Sequence, residues 1–306
     1  MNNIKFGKYF NLSDFRVASF YCALVFVVIA LFGLFNKNLT LGLDFTGGYL
    51  TEFSTGKTVS QKKMTELLTS YLPEKFKVTS AEEGTHWSVQ QADNLSSLKG
   101  KEWLADFALQ NELTIIPQDA LYIGSQVGEE LINQGGLALL TAIIVILMYL
   151  SFRFEWRLAA GAVIALFHDV LIVLGVFAWF GITFDLTILA SLLAIIGYSL
   201  NDSIIVGDKI REIMKTNTEA KIDNIINKAI KSTLVRTMIT SGTTLATIIA
   251  IWIFAGESLA GFSIALFTGV LVGTFSSIAI SATVPQLLGL TADYYDKKEE
   301  EICQLP

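Results

Sequence analysis

Apolar residues along this chain come in long blocks almost free of charge. The blocks are Val17–Phe35, Ile132–Phe152, Leu158–Phe184, Leu186–Gly207, Thr237–Gly256 and Ser258–Ala292; only His168 and Asp169 interrupt the third, and only Asp202 the fourth. A hydrocarbon layer about 30 Å thick is crossed by roughly 20 residues of helix. The pattern therefore predicts six transmembrane helices. The last block is too long for one span and predicts a sixth helix followed by an amphipathic or irregular tail after Pro285. The first block lacks a small-residue cleavage site and reads as a retained anchor rather than a signal peptide.

The segment between the first two blocks is ordinary and polar, and it alone has room for a folded domain. Gly42–Gly48 is a turn-rich entry. Tyr49–Phe53 alternates like a strand, Phe76–Thr79 and His86–Gln90 are short strand candidates, and Leu113–Ile116 is another. Ser60–Leu72 has helical spacing at Met64, Leu67, Leu68 and Tyr71, and Leu95–Leu109 reads as a second helix. This mixture predicts a small α+β sandwich. The fold class is thus a mainly α membrane protein, with six transmembrane helices and one small α+β extracytoplasmic domain between helices 1 and 2.

Lys and Arg near the span ends set the orientation. With the N-terminus inside, 14 of the 22 Lys and Arg fall on inner segments, and the short outer loops at 181–185 and around Glu257 carry none. The expected layout is a cytoplasmic N-terminus (1–16), helix 1 (17–35), a periplasmic α+β domain (36–132), helices 2–6 (133–292) and a cytoplasmic tail (293–306). Within the inner loop, 219–232 reads as an amphipathic helix, with Ile222, Ile225, Ile226, Ala229 and Ile230 on one side and lysines around them. It either lies on the inner membrane surface or packs on the bundle.

Composition narrows the functions. Hydrophobic residues make up 52 % and charged residues 16 % of the 306, against about 25 % charged in soluble domains, and the mean hydropathy is +0.54. A net charge of −6 argues against nucleic-acid binding. Two His and two Cys build neither a metal cluster nor a disulfide framework. Cys22 and Cys303 both fall on the inner side, where reduced thiols are expected. Gly56-Lys57-Thr58 imitates the end of a phosphate loop, but Thr51 stands where that loop needs Gly. No hydrolytic triad or carboxylate pair is visible, so the expectation is a protein that is not an enzyme and holds no cofactor.

Ionisable groups inside a bilayer are costly and by default functional. Asp202 lies about 9 Å inside the inner loop's first charge, and Arg236 about 7–8 Å inside its last, at 1.5 Å per residue. The two can reach similar depth on antiparallel helices. Burial favours the neutral acid and a nearby guanidinium favours the carboxylate. A balance between them leaves a group that binds and releases protons reversibly, whereas a static ion pair would simply lock the bundle. Arg236, Thr240, Thr243, Thr244 and Thr247 share one helical face. Their hydroxyls either line a hydrophilic path or bond their own backbone. Asn201 adds a polar group beside Asp202. Asp169 is a candidate relay, and His168 a structural hydrogen-bonding group. Gly261, Ala265, Gly269, Gly273, Ser277 and Ser281 recur every four residues, which predicts a close helix contact within the chain or with a partner.

Several segments taken in order resemble the SecD/SecF family of export proteins. They are Leu41–Gly48 after the first span, Val127–Leu131 before the second, Phe154–Arg157 with His168-Asp169, Gly197–Val206 followed by Asp208–Glu212, and Arg236-Thr237 with Thr240–Thr244. The resemblance covers almost the whole chain. The Gly-Tyr-Ser-Leu-Asn-Asp form and the short outer domain are those of the family's SecF branch. Gly207 departs from the pattern, since the family often has Phe before Asp208. The resemblance implies a subunit of the Sec translocase in the bacterial inner membrane. It would work with SecD, the SecYEG translocon, YajC and secreted polypeptides, and use the proton motive force to assist export. It also implies a proton path through Asp202 and Arg236 lined by Thr240, completed by an Asp from SecD. The alternatives are a proton-coupled small-molecule exporter of related architecture and a structural stabiliser of the translocon.

Overall fold

The structure is a computed structural model that describes residues 12–72, 76–81, 84–92, 101–216 and 221–292. The N-terminal Lys5 and Lys8, the start of the helix expected over 95–109, residues 219 and 220, and the tail with Lys297, Lys298 and Cys303 lie outside the described residues.

Among the described residues, six helices are long and apolar enough to cross a membrane. They are α1 (Leu12–Lys37), α5 (Ser125–Arg153), α6 (Trp156–Phe180), α7 (Leu186–Thr216), α8 (Ile222–Phe254) and α9 (Ala260–Ala279) with its continuation. Between α1 and α5 lie a single-turn helix α2 (Leu43–Thr46), strand β1 (Gly48–Thr55), helix α3 (Gln61–Tyr71), strands β2 (Phe76–Ala81) and β3 (His86–Ala92), helix α4 (Trp103–Gln110) and strand β4 (Ile115–Ile123). A short helix α10 (Val284–Leu287) follows α9. This is the expected fold class.

The α+β domain is one antiparallel sheet in the order β2-β3-β1-β4. Alternation along the strands decides its two faces. Phe53 of β1 opposes Trp87 of β3, and Thr51 opposes Val89. These side chains point to a core shared with Met64 and Leu68 of α3 and Trp103, Leu104 and Phe107 of α4. The other face carries Glu52, Lys77, Ser88, Gln90 and Gln118 and lines a polar groove of about 430 Å³. The strand expected over Leu113–Ile116 is longer than its apolar stretch, because ladder bonds to β1 extend it to Ile123. It feeds directly into α5, which starts at Ser125 rather than near Ile132.

In the bundle, α6, α7 and α9 form the buried centre, while α5 and α8 stand at the periphery with little of their surface covered. Small residues set the spacing. An added Cβ at Gly269 of α9 would lie 2.5 Å from Ile195 of α7, and one at Gly261 would lie 3.3 Å from Ile188. Ala265 and Ser277 are fully buried, and Ser281 nearly so. The stripe of small residues thus meets a helix of the same chain. On the opposite side of α6, Gly175 admits Ala30 of α1, whose Cα would be 2.6 Å from an added Cβ.

Two helix boundaries differ from the sequence reading. Of the segment expected over 219–232, the described part is continuous with the span that follows it. From Ile222 it forms the first turns of α8, and Ile225, Ile226, Ala229 and Ile230 pack against Ile210, Ile213 and Met214 at the end of α7. The apolar face found in the sequence is therefore buried against protein rather than lipid. The sixth span also breaks before Pro285, not after it. Proline lacks the N–H that an unbroken helix would need there. The turn then widens at Ser281, whose N–H donates to the Ser276 carbonyl five residues back, and tightens at Thr283, whose N–H donates to the Ile280 carbonyl, both at 3.0 Å. Within this break the Ala282 carbonyl accepts from Arg16 Nη1 at 3.4 Å. The Arg16 Nη2 also donates to Asp223 of α8 and Gln286 of α10, both at 2.5 Å. One buried guanidinium thus ties α1, α8 and α10 together.

Gly207 lies under the Phe154 ring, 3.3 Å from an added Cβ.

Gly175→Ala tests the α1–α6 contact. Overpacking against backbone costs about 1–3 kcal/mol, so the variant's detergent-solubilised melting temperature should fall by several degrees, whereas Gly136→Ala, which meets no atom within 4 Å, should leave it unchanged.

Candidate functional site

The two buried acids sit in opposite situations. Asp169 of α6 is 1 % exposed and fully engaged. Its Oδ1 lies 2.9 Å from His168 Nδ1, and its Oδ2 accepts from Ser199 of α7 at 2.5 Å and Ser276 of α9 at 2.9 Å. Adjacent residues on a helix point about 100° apart, yet the His168 ring folds back onto the carboxylate. Gly273 makes room for this junction, since an added Cβ would lie 3.2 Å from Ser199 Cβ and 3.4 Å from Asp169 Oδ2. Asp169 is a knot joining the three central helices.

Asp202 of α7 is also 1 % exposed, but its Oδ2 has no hydrogen-bond partner, and neither has the neighbouring Ser203 hydroxyl. Arg236 of α8 is the cation that the sequence offers opposite Asp202. Among the described residues, however, no ion pair or hydrogen bond joins the two. Arg236 is exposed, as is Asn201, so both look outward from the bundle while Asp202 looks inward.

The hydroxyl face of α8 is turned on itself. Thr240 donates to the carbonyls of Arg236 and Thr237 at 3.1 and 3.0 Å, Thr243 to those of Ile239 and Thr240, Thr244 to that of Thr240 and Thr247 to that of Thr243. Of the two readings of this face, backbone bonding is the one present. The hydroxyl oxygens keep free lone pairs on a half-open to open surface.

One turn from Asp202 is a group that the sequence reading missed. Tyr198 of α7 donates to Ser241 of α8 at 2.9 Å. Ser241 lies 2.7 Å from Thr274 of α9, whose own proton goes to the Val270 carbonyl. With Ser199 and Ser276, these residues hold α7 on two sides. Tyr198 and Ser199 lay inside a segment already singled out, but nothing in one sequence tells which hydroxyl faces a helix neighbour. Asp169, grouped with Asp202 as a relay, shares no hydrogen bond with it among the described residues; its bonds run to His168, Ser199 and Ser276.

The described part of the chain is therefore a multi-pass membrane protein with a small α+β domain and two buried acids, one closed and one open. The family model for protein export membrane protein SecD/SecF, C-terminal, matches residues 108–290. A protein translocase subunit SecF from Pseudomonas aeruginosa is 41 % identical over 294 residues, 95 % of each chain. One from Escherichia coli O157:H7 is 38 % identical over 292 residues, 92 % of this chain and 89 % of its own. The crystal structure of SecDF from Thermus thermophilus, a translocon-associated membrane protein, matches with a TM-score of 0.78 at 29 % identity, over 91 % of this chain and 38 % of that one. This chain thus corresponds to about two-fifths of that larger protein. A super-membrane-facing form of SecDF matches with a TM-score of 0.71 at 27 % identity, over 96 % and 40 %. The chain belongs to the SecD/SecF family of protein export membrane proteins.

The Asp169 knot predicts non-additive energetics. Ser199→Ala or Ser276→Ala alone should cost about 1 kcal/mol, because Oδ2 keeps one donor. The double variant strips that oxygen, so its loss should exceed the sum of the two by about 1 kcal/mol or more in denaturant titrations of the solubilised protein.

Proposed function

We propose that this chain is a SecF-type accessory subunit of the Sec translocase, a transport subunit rather than an enzyme. It works beside a SecD-type partner to couple the proton motive force to polypeptide export. The observation that carries the reading is the bare Oδ2 of Asp202. A buried acceptor without a partner is unfavourable by about 1–3 kcal/mol. It is a reasonable arrangement where the group receives a proton or a water during a cycle.

The surroundings support a shared site. Arg236, Asn201 and the threonine face of α8 are exposed on a poorly covered side of the bundle. A partner helix laid there would bury them and bring its own polar groups towards Asp202. In this reading the site residues are Asp202 as proton carrier, Arg236 as its counter-charge, and Thr240 and Asn201 as path lining. Asp169 passes from relay to anchor. Each proton crossing the field contributes about 2.3 kcal/mol per 100 mV, enough to bias a two-state rearrangement of a few kcal/mol.

In this reading both termini lie in the cytoplasm and the α+β domain across the inner membrane of a bacterium, an orientation that the bias of Lys and Arg supports. SecYEG, YajC and the secreted polypeptides are the further partners that this assignment brings.

Asp202→Asn should leave the chain's level and its co-purification with the partner intact, yet abolish the gradient-dependent part of preprotein export into inverted vesicles. Undiminished gradient dependence in that variant would count decisively against proton coupling. Restored export in the charge-swapped Asp202→Arg/Arg236→Asp chain would point to a static structural pair.

A further inference from the structure

The α+β domain and the helix that carries Asp202 are joined by a short, well-bonded stem. The chain leaves α1 and runs along the α6–α7 turn. There the Phe184 N–H donates to the Thr40 carbonyl and the Gly42 N–H to the Phe184 carbonyl, both at 2.7 Å, as a parallel bridge at Leu41. The Phe45 ring stacks on Phe184 with centroids 5.7 Å apart. Asp44 Oδ2 accepts from the N–H of Leu186, the first residue of α7, at 3.0 Å. The next N–H groups of α7 are met by Asp185 Oδ1, from Thr187 at 3.0 Å and Ile188 at 3.2 Å. Asp185 caps its own helix, as expected of that residue type. Asp44 comes from far away in the chain.

The stem leads straight into the sheet. Gly48, two residues after α2, opens β1, a central strand. On its other side α5 presses on the stem, where an added Cβ at Gly128 would lie 2.5 Å from the Phe45 carbonyl oxygen. The sheet also reaches the α6–α7 turn directly, through Lys77 of β2 and Asp185 at 3.7 Å. From Leu186 to Asp202 the helix is unbroken, about 24 Å at 1.5 Å per residue.

We infer that Asp44 fastens the α+β domain to α7, so that this helix acts as a rod between Asp202 and the sheet. A shift of α7 at Asp202 is handed through the capped first turn to the stem and so to β1. Asp44 is a positioning residue: it touches no transported group and acts through the helix end it holds. Its functional consequence rests on the proton-coupled reading, but the mechanical link does not.

The test uses the full-length chain assembled with its partner, with Cys22 and Cys303 changed to serine. Spin labels on exposed Lys57 of the domain and exposed Ala190 of α7 report the distance across the stem. The native chain should give one narrow distribution. Asp44→Ala should broaden it by several ångströms, whereas Asp44→Asn, whose carboxamide oxygen still accepts from Leu186, should keep it narrow. An unchanged distribution in Asp44→Ala overturns the inference, whatever Asp202 proves to do. In export assays Asp44→Ala should lose gradient-dependent stimulation several-fold while Asp202-dependent proton entry persists; full stimulation would again overturn it. If Asp44→Ala does not assemble, a Leu41→Cys/Phe184→Cys pair, at bridge positions within disulfide reach, takes its place. Oxidation should leave export at the native level if stem and α7 move as one, and reversible loss of export on oxidation refutes the inference. A failure of Asp202→Asn to affect export would instead remove the proton reading and leave the spin-label result standing.

Discussion

Polar groups in hydrocarbon must find partners within the protein, and that demand fixes how α6, α7 and α9 come together. Asp169 can accept from Ser199 and Ser276 only if three helices meet around one carboxylate. They meet because α9 presents almost no side chain along that line. Ile195 fits over Gly269, and Gly273 leaves the space in which Asp169 Oδ2 and Ser199 sit. The small residues therefore do more than shorten a helix–helix distance. They allow a carboxyl group to be enclosed without losing its hydrogen bonds.

The helix that benefits is α7, which is held at several levels. At its start, Asp44 and Asp185 take up the open N–H groups. At mid-depth, Ser199 is bound to Asp169 and Tyr198 to Ser241. At its far end, Ile210, Ile213 and Met214 pack on the first turns of α8, and Arg153 pairs with Asp208 at 2.6 Å. Against this well-bonded background, Asp202 and Ser203 stand out as buried and unpartnered. An open acid in an otherwise satisfied helix is a local exception, and each such exception in a native protein calls for its own explanation.

The contrast also bears on the periphery. Both α5 and α8 expose broad apolar faces, including Leu137, Leu140, Val145 and Met148 on the first and Val235, Met238 and Ile239 on the second. Arg236 and the threonines share the exposed side of α8, with their hydroxyl protons committed to the helix backbone. The threonine donors are thereby spent, while their oxygens still offer acceptors to whatever helix is laid upon this side.

Read alone, the chain determined the number of spans, the place of the α+β domain, the strands around Phe53 and Trp87, and the short list of polar groups inside the membrane. Those features follow from periodicity and from the cost of charge in hydrocarbon, both of which act along the sequence. It also marked the small-residue line on α9 and the apolar side of the segment after Lys221. Only the tertiary structure decided what those faces touch: Ile195 at Gly269, and the end of α7 beneath Ile225 and Ile226. It gave Asp169 its partners and left Asp202 Oδ2 bare, and it brought Asp44 to the start of α7 and Arg16 to the proline break. Each of these depends on which side of a helix faces which neighbour, and on contacts between residues far apart in the chain. A hydroxyl or a carboxylate carries the same pattern in sequence whether its partner is a carbonyl one turn back or a serine on another helix; the packing angle makes that choice.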